Sequence, residues 1–78
     1  MKIINHSSIL DSTPVQISNG CYPSRVVLRH LQDNEDTPYV IHHENLEIQG
    51  NQLIHRNFYR GSYFFTLAEA KTEFHSLK

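Results

Sequence analysis

The sequence predicts a small α+β domain: an antiparallel β-meander of three to five strands with one C-terminal helix packed on one face. Three observations carry that expectation. Gly50-Asn51 separates two alternating segments, Leu46-Glu47-Ile48-Gln49 and Gln52-Leu53-Ile54-His55, which is the pattern of a two-residue hairpin turn. Thr66 and Glu69 have the spacing of a capping box, and Leu67, Ala70, Phe74 and Leu77 then recur as one helical stripe. The chain has 78 residues, enough for one domain that buries only about 60–65% of its unfolded surface.

Each element follows in order. Residues 1–23 hold short apolar pieces, Ile3-Ile4, Ile9-Leu10 and Val15-Gln16-Ile17, separated by turn formers, and read as short edge strands or ordered loop. The sheet occupies 24–65. Ser24 to Leu31 has β-branched strand character, with Val26, Leu28 and His30 on one face and Arg25, Val27, Arg29 and Leu31 on the other. Gln32 to Pro38 offers no apolar group to bury and reads as an acidic loop; Tyr39 to His43 resumes the strand. In the hairpin that follows, Ile48 opposes Leu53. Phe58 to Phe65 is an aromatic strand in which Gly61 marks a bulge or a tight turn. The helix spans 66–77, with Glu69, Thr72, Glu73 and Ser76 opposite its apolar stripe. About three turns are marginal alone, so the helix needs the sheet.

Charge and composition exclude several classes. Seven Lys+Arg against eight Asp+Glu give a formal net charge of −1, which argues against binding nucleic acid or anionic lipid by bulk charge. Hydrophobic residues are 38% and charged residues 19%, too apolar and too weakly charged for disorder. A single cysteine rules out an internal disulfide, and with no export signal or long apolar run the expectation is a cytoplasmic protein.

Candidate chemistry is sparse. Six histidines raise the question of a metal; His42 and His43 point to opposite faces of a strand, so a site would need His42, Glu44 and the cross-strand His55. That trio has no known zinc spacing, and a half-exposed sheet face explains the histidines as well. Cys21 lacks a neighbouring cation or helix N-terminus to activate it. Asp33-Asn34-Glu35-Asp36 lacks the glycine and distal glutamate of a calcium loop. No nucleophile, metalloprotease or phosphate-binding motif occurs, and the expectation is a protein that is not an enzyme and takes no cofactor.

What remains is surface. A thin sheet with one helix leaves a face uncovered, and tyrosine with arginine on such a face is the composition of a protein interface. Arg25, Arg29, Tyr39, Tyr59, Arg60 and Tyr63 are the candidate partner-binding residues, for another protein or for a second copy of the chain in a homodimer. Open sheet edges add strand pairing as a docking mode. The alternative is a small nucleic-acid binder using the Arg/aromatic strand 56–65, with Arg56, Phe58, Arg60 and Tyr63. A metal-responsive protein built on His42, Glu44 and His55 is the third reading.

Tyr39-Val40-Ile41-His42, Gly61-Ser62-Tyr63-Phe64, and Leu67, Ala70 and Phe74 together resemble a pattern in small uncharacterised bacterial and phage accessory proteins. There a Tyr-Val-x-His strand precedes a Gly-x-Tyr-Phe element and a short helix with Ala and Phe. The resemblance covers about half the chain. It implies a mobile-element accessory protein, of the kind that binds and blocks a host machine as anti-CRISPR and anti-restriction inhibitors do, or an adaptor. It assigns no activity to any residue.

Overall fold

The computed structural model describes residues 2–77. Five strands, β1 (Lys2–Ile3), β2 (Ile9–Ser12), β3 (Ser24–His30), β4 (Tyr39–Gln49) and β5 (Gln52–Phe64), precede one helix, α1 (Leu67–Ser76). They form a single sheet in the order β1-β5-β4-β3-β2. Four of the strands pair antiparallel, as the meander requires, whereas β1 joins the edge of β5 in parallel through Lys2↔Gln52 and Ile3↔Leu53. The sheet is therefore mixed. The N-terminal pieces become β1 and β2, while Val15-Gln16-Ile17 contributes only an isolated bridge, Gln16↔Ser24.

Tyr39 to Gln49 is one long strand without a break at Glu44-Asn45. Its hairpin with β5 turns at Gly50 (φ 60°) and Asn51, and Ile48 pairs with Leu53. Two bulges shape β5. Between the pairs Asn45↔Asn57 and Leu46↔His55 the residue Arg56 has no opposite number, and between Ile41↔Ser62 and His43↔Tyr59 both Arg60 and Gly61 face His42 alone. Arg60 takes the left-handed conformation there, with φ 53°. A Cβ on Gly61 would lie 2.8 Å from His42 Nε2, so the glycine is what lets the imidazole lie against the strand. Each bulge shifts the alternation by one residue. Leu53, His55, Phe58 and Tyr63 consequently share one face, although strict alternation would separate them.

On the opposite face lies α1. Thr66 is extended (φ −121°, ψ 151°), its Oγ1 accepts from Glu69 N–H at 3.2 Å, and it donates to Glu69 Oε1 at 2.9 Å, so the capping pair forms through the hydroxyl. Ala70 and Phe74 pack on Leu28 and Ile41, with Val26, Tyr39, Phe64 and Leu67 around them. Leu77 is the exception to the stripe: the helix ends at Ser76, and Leu77 stands half-exposed as the C-cap.

The other face is not bare. β1 and β2 are adjacent in sequence but sit at opposite edges of the sheet, so residues 4–8 must cross between them. Ile4 N–H donates to Leu53 O at one end of this strap, and Ser8 O accepts from His30 N–H at the other. Along β4 the corresponding positions, Ile48 and Tyr39, would be about 30 Å apart in a flat strand. Four residues of chain reach only about 14 Å. The sheet curls toward the strap to close the difference, and Val27, Val40, Leu46 and Leu53 are buried on this side.

Candidate functional site

The alternation of β3 and β4 places Arg25, Arg29, His42 and Glu44 on the strap face, and the two bulges of β5 bring His55, Phe58 and Tyr63 to meet them. At the centre is Glu44, 1% exposed. Its Oε1 accepts from Arg25 Nε at 2.6 Å and its Oε2 from His55 Nδ1 at 2.8 Å. Arg25 is 4% exposed and also donates to Asn5 Oδ1 at 2.9 Å and Ser12 Oγ at 3.4 Å. Every described buried side-chain nitrogen and oxygen has a partner. A carboxylate taken out of water needs such company, since an unpaired one costs several kcal/mol.

Phe58 is the second focus. The Arg29 guanidinium lies over its ring at 3.9 Å, His42 stacks on it at 5.2 Å, and His55 tilts against it at 4.2 Å. His6 of the strap meets the same ring edge-on at 6.1 Å. Arg29 reaches in two further directions, with Nη1 3.1 Å from His42 Nδ1 and Nε donating to Ser8 Oγ at 2.9 Å. Burial first, and the Arg29 cation second, push the His42 imidazole below its ordinary pKa. Burial also lowers Arg29, partly offset by Glu44 and Tyr63, and an arginine remains charged throughout.

These positions redistribute the residues singled out from sequence. Arg25 is not on an open face: it is an interior cation paired with Glu44, because the strap and the curl cover it. Arg29 is half-buried in the Phe58 cluster, and Tyr39 packs at the helix side, stacked on His30 at 5.1 Å. Tyr59, Arg60 and Tyr63 are exposed, all on β5. Of the nucleic-acid set, Phe58 is half-buried and its ring is already engaged by the Arg29 cation and the His42 and His55 imidazoles. Arg56 lies over Tyr22 at 4.1 Å and 3.7 Å from Glu47, away from Phe58. His42, Glu44 and His55 do share a face, yet both oxygens of Glu44 and the Nδ1 of His42 face protein donors. The described residues contain no group of three His, Cys, Asp or Glu placed to hold a metal ion.

Elsewhere, Cys21 is exposed on a turn. The acidic loop, with Ser8, His6 and His30, lines an open recess of about 620 Å³ beside the end of the strap. No described helix is long and apolar enough to cross a membrane. What alternation could not reveal is the open edge of β5. Beyond Leu53 no described strand pairs with it, and along that edge Tyr59 is 36%, Tyr63 50% and the following Phe65 69% exposed. Arg60 stands among them without an ion pair to any described residue. Comparison of the chain with protein-family models, with curated proteins and with solved structures gives no match.

Proposed function

We propose that the protein is a non-enzymatic protein-binding module that docks a partner along the free edge of β5. The observation that carries this reading is that edge: backbone groups open to strand pairing, flanked by exposed Tyr59, Tyr63 and Phe65. Aromatic side chains with arginine are the usual anchors of an interface core. An unpaired Arg60 cation at the bulge favours an extended partner segment that carries a carboxylate. The bulges and charge also keep the edge from pairing with itself indiscriminately, which suits a specific partner better than aggregation. Within this reading, the resemblance of the C-terminal half to small bacterial and phage accessory proteins supports a cytoplasmic inhibitor or adaptor encoded by a mobile element, of the anti-CRISPR or anti-restriction kind.

The test is retention of a partner from the native host's lysate, with and without nuclease, by the wild type and by the variants Arg60→Glu and Tyr63→Ala. A discrete protein that survives nuclease, and is lost from both variants while their melting temperatures hold, is the expected result. Loss of all retained material on nuclease treatment promotes nucleic acid over protein. Retention undiminished in both variants removes the β5 edge from the interface. Arg29 is unsuited to this test because reversing its charge breaks the Phe58 cluster.

A further inference from the structure

Besides the backbone bonds at its two ends and the Arg25–Asn5 bond, residues 4–8 are tied to the sheet by a hydrogen-bond chain that has an imidazole nitrogen at each end. Arg29 Nη1 lies 3.1 Å from His42 Nδ1, and Arg29 Nε donates to Ser8 Oγ at 2.9 Å. Ser8 Oγ in turn lies 2.7 Å from His6 Nδ1, and Ser8 N–H donates to that same nitrogen at 3.1 Å. A guanidinium N–H and a backbone N–H can only donate. Both Nδ1 atoms are therefore acceptors, and both rings are neutral with their proton on Nε2. We propose that the strap is a proton-released latch: the neutral His42 imidazole holds Arg29 in place on Ser8, and acidification lifts the strap and bares the Phe58 face.

A proton on either Nδ1 turns an acceptor into a donor that faces another donor. At His42 it also sets imidazolium against the Arg29 guanidinium, with Tyr63 edge-on at 6.1 Å, Glu44 two residues along the strand, and Phe58 beneath. Around His6 stand His55 at 6.4 Å from β5, and Arg29 and Arg25 of β3, reached through Ser8 and Asn5. His30 and Asp33 line the recess beside it. Of these, His55 behaves differently. It donates through Nδ1 to Glu44 in either charge state, so its protonation breaks no bond of the strap.

The sign follows from the bonding. The His42 ring, half-buried and beside the Arg29 guanidinium, binds a proton more weakly closed than open. The latch is then fully made above the unfolded imidazole value, about pH 6.5, and is lost as pH falls below it. One proton taken up on opening, at His42, raises the opening constant by at most about tenfold per pH unit. Phe58 and the imidazoles around it would be bared, while α1 and the Leu28–Ile41–Phe74 cluster, which contain no part of the chain, stay closed. Tyr63 borders both this face and the β5 edge, but exchange at residues 4–9 of the free protein involves no partner, so its outcome leaves the docking reading untouched.

The experiment is amide hydrogen exchange on the full chain from pH 7.5 to 5.0, corrected for the intrinsic rate, with long-range nitrogen spectra of the histidine rings. Protection of residues 4–9 should fall by up to about tenfold per unit below pH 6.5 while Val27, Val40 and Leu46 keep theirs. At pH 7.5 the rings of His6 and His42 should carry their proton on Nε2. A double variant His6→Asn/His42→Asn, which keeps an acceptor oxygen and cannot titrate, should hold its strap protection at pH 5.0. Protection of 4–9 that is constant with pH, that falls in step with the central strands, or that falls equally in the double variant overturns the latch. So does an Nδ1 proton on either ring at pH 7.5, a result that needs no variant to fold.

Discussion

On the helix side of the sheet, Leu28, Ile41, Ala70 and Phe74 meet as one apolar cluster. On the strap side, Val27, Val40, Leu46 and Leu53 share the interior with an arginine, a glutamate and the Arg29–Phe58–imidazole stack. The helix side gains its stability from burial, which is indifferent to direction and tolerant of repacking. The strap side is built from groups that are satisfied in one register only. A slip of one residue in β3 against β4 would leave Glu44 and Arg25 on opposite faces, each an uncompensated buried charge. The comparison assigns the two halves different work. Apolar packing supplies the core, and the polar cluster pins the register of a curled sheet whose β5 is bulged twice.

The difference can be tested from either side. The largest effect belongs to Phe74→Ala, which empties the centre of the helix-side cluster; a loss of about 3–5 kcal/mol in urea unfolding is expected, enough to unfold much of so small a domain. On the strap side, Glu44→Ala should cost a similar 3–5 kcal/mol or so, because it strands Arg25 without a counter-ion. The double replacement Arg25→Met/Glu44→Leu sharpens the contrast. Stability should return to within about 1 kcal/mol of the wild type or exceed it, since a buried pair exchanged for apolar groups is close to neutral. Hydrogen exchange across β3 and β4 would then show a less uniquely held register.

Smaller effects come from the second bulge. Gly61→Ala drives a methyl into His42 Nε2 and should destabilise by about 1–3 kcal/mol, with a shift of the His42 ring signals away from Phe58. Arg60→Gly, one position earlier, should go the other way. It relieves a left-handed backbone in a residue with a Cβ, and a gain of about 0.5–1 kcal/mol in melting experiments is expected. Partner retention should nonetheless weaken, since the same change removes the unpaired cation from the docking edge.

Much of this fold was legible in the sequence wherever local chemistry decides the outcome. Gly50-Asn51 set the hairpin and its Ile48↔Leu53 register, Thr66 began the helix, and Gly61 marked the bulge. The bulge at Arg56 carries no such mark, because no glycine is needed there, and so the gathering of His55, Phe58 and Tyr63 on one face was hidden. Glu44 and Arg25 read as surface residues because a charge is usually solvated. Their burial depends on a strand register and on a strap that closes only when the sheet curls. Residues 1–23 looked like loosely attached edge pieces for the same reason, since β1 finds its partner 50 residues away. The candidate interface divided accordingly: Tyr59, Arg60 and Tyr63 are exposed together on β5, while Arg25, Arg29 and Tyr39 are engaged within the fold.

The central claim is that the chain covers its own second sheet face and leaves the aromatic edge of β5 open. Hydroxyl-radical footprinting of the free protein at pH 7.5 tests it most directly, because each aromatic ring reports its own exposure. Phe65 and Tyr63 should oxidise fastest, Phe58 several-fold more slowly, and Phe74 slowest of all. Oxidation of Phe58 at the rate of Phe65 would mean that the strap does not close the face, and would contradict the account.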